Sequence, residues 1–240
     1  MDYSIQLYSL RDITAENLEA ALKAVSEMGY TAVEFAGFFG HTAEEVVEML
    51  KKYNLKVSGT HSGLQDLIDN FDETVAFHKA IGNKHYIIPG TDLWSQEKID
   101  YFVENANALQ KKLKEHDISL GFHNHDREFK VNSDGSVPYE QIIYRTDIEL
   151  EVDTFWAYVG MKDPISLMER VKDRINFIHI KDGFEDGKGM PLGMGTAPVE
   201  AVYNWAKENG KLMVVESETL TPDGATEAKI CIDCLHSLEK

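Results

Sequence analysis

The 240-residue chain lacks the features that mark membrane and secreted proteins. Its longest apolar runs, such as YTAVEFAGFF and LMVV, stop well short of the roughly 20 residues that cross a bilayer. The first residues, MDYSIQLYSLRD, have neither the basic start nor the small-residue cleavage site of a signal peptide. We therefore expect a cytoplasmic protein with no membrane partner.

Cysteine is scarce, since the chain has only Cys231 and Cys234, in the segment AKICIDCLHSLEK. A single CxxC pair does not complete a zinc site, which needs two further ligands nearby. The pair shares an amphipathic helical pattern with Ile230, Ile232 and Leu235. The sequence therefore predicts two reduced helix residues rather than a zinc or redox site.

Positive charge is also scarce, with 24 Lys and Arg against 41 Asp and Glu and a net charge of −17. A surface this acidic disfavours nucleic acid and anionic membranes as partners. It does not exclude a phosphorylated sugar, because a pocket can differ from the average surface. No phosphate loop of the GxxxxGK[ST] type occurs, and the GMGT at 193–196 follows no strand, so a dinucleotide site is not expected.

The chain does contain a regular alternation of short β-type runs and longer helical patterns. The predicted strands cover 4–9, 32–36, 56–61, 85–89, 118–123, 148–153, 176–181 and 213–218. The segments between them carry apolar residues at helical spacing, as in TAEEVVEMLKKY. Eight such units predict an α/β protein with one (β/α)8 barrel over residues 1–240. A doubly wound open sheet is the alternative and should show fewer strands.

Capping residues mark several helix boundaries within this pattern. Thr42 followed by Glu45 fits a capping box. Helix starts are predicted at Thr14, Thr42 and Ser95, and helix ends at Gly29 and Gly82.

Ionisable side chains gather at the ends of the predicted strands, where barrel enzymes carry their reacting groups. Those ends hold Glu34, His61, His123, His125, Asp153, His179, Lys181 and Glu216. The alternation along IELEVD and NFIHIK points Glu149, Glu151, Asp153, His179 and Lys181 into the barrel. Buried charge must be paired, bind a metal or meet a polar ligand. An internal salt-bridge network is therefore the alternative to a functional site.

Asp, His and Glu from successive strands suit a hard or borderline divalent cation, namely Mn²⁺, Mg²⁺, Co²⁺ or Zn²⁺. The segments that carry them, with their neighbours, are QLYSLRD, GFHNHDREF, EVDTFWA, HIKD and VVESE. In this order they resemble the sugar phosphate isomerase/epimerase family with the xylose isomerase-like barrel. HNHDxEF followed by VDTFW is typical of one branch of that family. The resemblance implies a divalent metal held by Glu, Asp, His and Glu at strands five to eight, and a sugar or sugar phosphate as substrate.

Carried over residue by residue, the resemblance puts the last three metal ligands at Asp153, His179 and Glu216. The first position does not carry over, because the epimerases' glutamate aligns near Gly121, which has no side chain. Glu128 or His123 is the predicted fourth ligand. The departure puts in doubt a mechanism in which two metal-bound glutamates move protons, and it leaves a metal-free member as an alternative.

The activity implied by the resemblance is proton abstraction next to a carbonyl through an enediolate, as in an isomerase or epimerase. The predicted catalytic residues are Glu216, His123 and Lys181, with an ion pair to Glu151 as the alternative for the lysine. The predicted substrate-binding residues are His61, His125, Trp156 and Glu34, with an internal salt bridge as the alternative for the last. A lyase or dehydratase with the same site is the first alternative function, and a non-catalytic sugar-binding barrel is the second.

Two loops complete the predicted site. Trp94 either covers it or packs in the core, and the Gly-rich segment 183–196 is a candidate mobile lid. The oligomeric state stays open, with a homodimer as one alternative.

Two other barrel classes are disfavoured. An endonuclease of the apurinic type needs more metal ligands and a basic face, against which the charge of −17 speaks. A glycosidase needs two opposed carboxylates, and Asp153 with Glu216 would leave His179 between them without a role.

Overall fold

The computed structural model describes all 240 residues, and its centre is a closed barrel of eight parallel strands. The strands span Tyr3–Gln6, Ala32–Phe35, Lys56–His61, His85–Ile88, Ser119–His123, Glu149–Asp153, Phe177–Ile180 and Leu212–Val215. Neighbours in the chain are neighbours in the sheet, and the first strand pairs with the eighth. The closed barrel confirms the (β/α)8 prediction, and the alternative of an open sheet is wrong.

Helices surround the barrel. They span Arg11–Thr14, Leu18–Met28, Ala43–Lys52, Leu64–Asp69, Phe71–Ala80, Gln96–Lys114, Pro138–Arg145, Thr154–Met161, Pro164–Val171, Val199–Glu208 and Gly224–Leu238. Short 3-10 helices span Leu7–Leu10, Arg127–Phe129 and Lys172–Arg174, and Asp182–Gly183 pairs with Gly189–Met190 in a small hairpin. None of these helices combines the length and the apolar character needed to cross a membrane.

The alternation predicted for the sixth strand is present in the structure. Ile148, Leu150 and Val152 are fully buried in the main apolar core that joins the strands to the helices. Burying each such side chain stabilises the fold by about 1.5–3 kcal/mol. The opposite face of the same strand enters the barrel, which leaves the polar side chains of that face to form the site.

Several predicted boundaries differ from the structure. The first strand ends at Gln6, whose side chain accepts the backbone N–H of Tyr8 at 3.0 Å and starts a 3-10 turn. The predicted N-cap at Thr14 is wrong, because Asn17 accepts the N–H of Ala20 at the start of helix Leu18–Met28. The eighth strand ends at Val215 rather than at residue 218, so the site residues that follow it lie in a loop.

Other boundary predictions are confirmed. Thr42 forms the capping box, and Ser95 caps helix Gln96–Lys114. Gly29 and Gly82 take positive φ angles just after helices, at +103° and +77°. Cys231 and Cys234 lie unpaired on the last helix, the first buried and the second half-buried.

Candidate active site

The carboxyl end of the barrel gathers buried polar side chains from the second, third, fifth, sixth, seventh and eighth strands or their ends. Those with almost no exposed surface are Glu34, His123, Glu151, Asp153, His179, Lys181 and Glu216. Because parallel strands end at one rim, residues far apart in the chain meet there. The side chains form two layers that share His179.

The lower layer is a network of alternating carboxylates and imidazoles. The Nε2 atom of His179 lies 2.7 Å from Glu34 Oε2 and 3.1 Å from Glu151 Oε1. His61 Nε2 lies 2.7 Å from Glu151 Oε2, and Gln6 donates its Nε2–H to Glu34 Oε2 at 2.8 Å. This network corresponds to the internal salt-bridge alternative for Glu34, whose side chain is fully buried.

Charge pairing sets the protonation of this layer. Burial opposes the charged form of His179, but Glu151, Glu216 and Glu34 outweigh it and raise the pKa of the imidazole well above its usual value. Burial and the neighbouring Glu151 raise the pKa of Glu34. For Glu151, burial is outweighed by His179 and His61, and its pKa is lowered. The layer is thus held by charge-assisted hydrogen bonds.

The upper layer consists of His123, Asp153, His179 and Glu216, whose candidate ligand atoms all lie within 4.8 Å of one another. Asp153 Oδ2 is 3.5 Å from His123 Nε2, and Glu216 Oε2 is 3.3 Å from His179 Nδ1. His179 therefore presents Nδ1 to the upper layer while Nε2 is held from below. This arrangement is typical of a metal-binding histidine whose second nitrogen is fixed by a carboxylate.

Three atoms of the upper layer are buried without a hydrogen-bond partner: both ring nitrogens of His123 and Oδ2 of Asp153. Buried polar atoms in proteins are nearly always paired, so unpaired ones point to a missing ligand. Burial and the nearby imidazoles of His179 and His61 lower the pKa of His123 to about 3, so its ring is neutral and has a free lone pair. With the Nδ1 proton of His179 released on metal binding, two imidazole nitrogens and two carboxylates fit a borderline divalent cation.

Lys181 lies beside this layer as a buried ammonium group. Its Nζ is 3.0 Å from Glu216 Oε2, contacts Glu218, and stands 4.9 Å above the centre of the Trp156 ring. Burial opposes the charged form, but Glu216, Asp153 and Glu218 raise the pKa of Lys181 above its usual value. The lysine is thus protonated, and the alternative of an ion pair with Glu151 is wrong.

The two alternatives for the fourth ligand lie in different places. Glu128 is buried, but its carboxylate accepts the backbone N–H of His125 at 2.7 Å and Nε–H of Arg127 at 2.8 Å. It belongs to neither layer, whereas His123 lies in the upper layer. Of the two residues, only His123 therefore has ligand atoms near those of Asp153.

A cavity of about 310 Å³ opens above the upper layer. Its polar lining consists of Tyr8, His61, His123, His125, Glu216 and Glu218. His125 Nδ1 and the indole Nε1 of Trp156 are buried without a partner, and the two rings are 6.0 Å apart. Burial, and to a smaller extent the neighbouring His123, lowers the pKa of His125 to about 4. The size and polar lining suit a small hydroxylated ligand.

Two predicted loop features lie at the edge of the site. Trp94 is 61% exposed, with the Arg127 guanidinium 5.8 Å from its ring, so the alternative of a core position is wrong. The segment 183–196 begins as a hairpin strand and is tied to Asp182 by backbone hydrogen bonds.

Two residues contribute to the site in ways that the sequence does not predict. Glu151 is predicted inside the barrel only as an alternative partner of Lys181, although it joins His61 to His179. Glu218 is not among the predicted site residues. It lies two residues beyond Glu216, so the alternation used for the other strands was the available signal.

A family model described as xylose isomerase-like TIM barrel matches residues 22–237. An inosose dehydratase of Mesomycoplasma hyopneumoniae strain 7448 is 25% identical over 191 residues, covering 69% of this chain and 62% of that protein. The chain therefore spans less than two thirds of the length of this curated relative.

Solved structures share the fold. A sugar phosphate isomerase/epimerase from Parabacteroides distasonis has a TM-score of 0.82 at 21% identity, over 97% of this chain and 92% of that one. A probable 3-DHS dehydratase from Bacillus anthracis has a TM-score of 0.79 at 12% identity, over 100% of this chain and 99% of that one. At these identities the likeness shows a common barrel and no more.

Proposed function

The chain belongs to the xylose isomerase-like TIM barrel family, and from this membership we propose that it is a divalent-metal-dependent sugar isomerase or epimerase. The reaction would remove a proton next to a carbonyl and pass through an enediolate. The observation that carries the proposal is the upper layer, where three side chains from neighbouring strands meet one that follows the next strand, and three buried atoms have no partner.

The residues that would hold the cation are His123, Asp153, His179 and Glu216. Glu128, the other candidate, stays in its loop as a partner of Arg127. A bound Mn²⁺, Mg²⁺, Co²⁺ or Zn²⁺ would supply positive charge beside the substrate oxygens on which negative charge develops.

Glu216 is the proposed proton acceptor. It lines the cavity, and Lys181 and His179 outweigh burial and lower its pKa, so the carboxylate is ionised and ready to take a proton. Epimerisation would require a second acid to deliver a proton to the opposite face of the same carbon. Isomerisation would return the proton to the neighbouring carbon while the hydroxyl proton passes to the carbonyl oxygen. His123 is the alternative base, since its ring is neutral.

Lys181 would bind a substrate oxygen as charge develops on it. Its ammonium group is desolvated, and donors fixed in a dry site stabilise developing charge more strongly than donors in water. His61 and His125 line the cavity and would bind hydroxyl groups. Trp156 would present its indole N–H, which has no partner in the protein.

A dehydratase acting on a keto sugar or inosose is the second candidate, favoured by the curated relative named inosose dehydratase. The same carboxylate would remove the proton, and a hydroxyl on the next carbon would leave as water. The two reactions therefore share the base and differ in the fate of the enediolate, which takes up a proton on carbon in the first and expels hydroxide, protonated to water, in the second.

Metal content tests the first step of this proposal. We expect about one divalent ion per chain by elemental analysis of the purified protein after incubation with Mn²⁺. Asp153→Asn should weaken metal binding at least about tenfold, because it removes the negative charge of one metal ligand. Glu149→Gln is the matched control, since Glu149 lies on the same strand but pairs with His85 at 2.8 Å.

Hydrogen exchange tests the chemistry. The protein would be incubated in D₂O with a panel of ketoses and inososes and followed by NMR. Deuterium at the carbon next to the carbonyl, with a new epimer or isomer, supports the first reaction, and loss of water supports the second. A wild-type protein that stays metal-free in Mn²⁺ would contradict the metal-dependent mechanism.

A further inference from the structure

A second cavity of about 520 Å³ adjoins the candidate active site. It lies between the loop after the second strand and the two helices that follow the third strand, Leu64–Asp69 and Phe71–Ala80. Ala36 and His61 line both cavities, so a ligand in one is in reach of the other. The proposed reaction makes no use of this space.

The lining of this cavity combines polar groups with aromatic surface. Asn70 and Glu73 are exposed, and their side chains make no hydrogen bond or ion pair within the protein. Phe38 and Phe77, whose ring centres are 4.4 Å apart, supply half-buried aromatic surface. Acceptors and amides beside aromatic faces suit a ring that carries hydroxyl groups on its edge and C–H groups on its faces.

His78 adds a buried donor to this lining. Its side chain is only 4% exposed, and its Nδ1 lies 3.0 Å from Asn83 Nδ2. Asn83 uses its Oδ1 to accept the N–H of His85, so Nδ2 is its donor and His78 Nδ1 is an acceptor. The ring proton of the neutral imidazole is therefore on Nε2, which has no partner in the protein. Burial keeps the ring neutral by lowering its pKa to about 4.

The charge of the cavity lining favours an uncharged ring. Asp66 and Glu73 both face the cavity, and no Lys or Arg lines it. Two carboxylates without a cation disfavour a phosphate or carboxylate at this place. The same carboxylates accept hydrogen bonds from neutral hydroxyl groups without the electrostatic repulsion that an anion would meet.

We propose that this cavity is a subsite for the second, uncharged ring of a glycoside, so that the substrate class is a disaccharide or glycoside rather than a free monosaccharide. The inference rests on the proposed function, because the ring that reacts must lie above Glu216 and Lys181. His61, shared by both cavities, would then lie where the two rings join.

Calorimetric titration of the purified protein with glucose and with cellobiose, maltose and trehalose tests the subsite. At least one disaccharide should bind about tenfold more tightly than glucose. Thr74→Trp, which fills the cavity from helix Phe71–Ala80, should remove this difference. Ala76→Trp is the matched control, because it adds the same side chain at an exposed position of the same helix outside the cavity.

A second variant covers the case in which Thr74→Trp does not fold. The exposed pair Asn70→Ala with Glu73→Ala should weaken disaccharide binding several-fold and leave glucose binding unchanged. Equal affinity for glucose and every disaccharide would overturn the subsite and leave the proposed function standing. Absence of binding by all four sugars would overturn the subsite, and the metal and exchange experiments would then decide the proposed function separately. Tight disaccharide binding without any metal uptake would support the subsite and contradict the metal mechanism.

Discussion

Gly121 occupies the position of the fifth strand at which the family resemblance places a metal-binding glutamate. A Cβ atom there would lie 2.3 Å from Cδ1 of Ile87 on the fourth strand, so a side chain at this position would require the Ile87 side chain to move. His123, two residues on, points in the same direction and reaches the upper layer. The Ile87 side chain therefore occupies the space beside Gly121, and His123 supplies the fifth strand's candidate ligand.

His78 makes a testable contribution to stability. Its folded pKa is about 4, and the usual value is 6.5. As the pH falls from 6.5 towards 4, the unfolded chain takes up a proton that the folded chain refuses. Stability is therefore lost as the pH falls, by up to about 3 kcal/mol from this residue.

Urea unfolding at a series of pH values measures this effect. His78→Gln should give a shallower fall of the unfolding free energy between these pH values than the wild type. The control is His236→Gln, which removes an exposed histidine from the last helix. Identical pH profiles for the wild type and His78→Gln would show that the imidazole does not resist protonation.

The loop after the seventh strand is held by the hydrogen bonds of one carboxylate, that of Asp182. The Asp182 carboxylate accepts the backbone N–H groups of Gly183, Gly193, Gly195 and Ala197 at 2.7 to 3.1 Å. Each such charge-assisted bond stabilises by about 1.5–3 kcal/mol. The two ends of the segment predicted as a lid are thus joined at one buried side chain, and any opening motion is confined to the residues between them.

Gly195→Ala should release this loop. A Cβ at this position would lie 2.3 Å from Asp182 Oδ1 and 2.5 Å from the backbone nitrogen of Gly183. We expect a loss of roughly 2 kcal/mol of stability and faster amide exchange across residues 183–197, measured by mass spectrometry. Gly189→Ala is the control, because its Cβ would meet only Thr219 Cγ2, at 3.4 Å. Equal exchange in the two variants would contradict the anchoring role of Asp182.

At the scale of the whole molecule, the net charge of −17 works against compactness. Like charges on the surface repel one another, and salt screens that repulsion. Between roughly 0.01 M and 0.15 M NaCl the Debye length falls from about 30 Å to about 8 Å. We expect the melting temperature to rise by about 2–4 °C over this range, as for a gain of about 1 kcal/mol.

Differential scanning calorimetry at fixed pH measures this rise. Sucrose serves as the control solute, because it stabilises proteins without screening charge. The rise in melting temperature should level off in salt as the Debye length shortens, and it should not level off in sucrose. A melting temperature that is unchanged or lower in salt would mean that ion pairs such as Lys52–Glu19 outweigh the repulsion.

The strand and helix pattern, the direction of side chains along each strand and the family were all readable from the sequence. The reason is that these properties depend on near neighbours in the chain, through alternation, helical spacing and short motifs. The placement of Asp153 and His179 on two successive strands, and of Glu216 just after the next strand, follows from the same local patterns.

Distances across the barrel were decided only by the tertiary structure. Closure of the sheet brings Glu34 to His179, 145 residues away in the chain, and pairs Lys181 with Glu218 rather than with Glu151. The direction of Glu128 and the cavity beside His61 likewise depend on loops that pack against distant elements. A local pattern sets which way a side chain points, but its partner depends on how the whole chain packs.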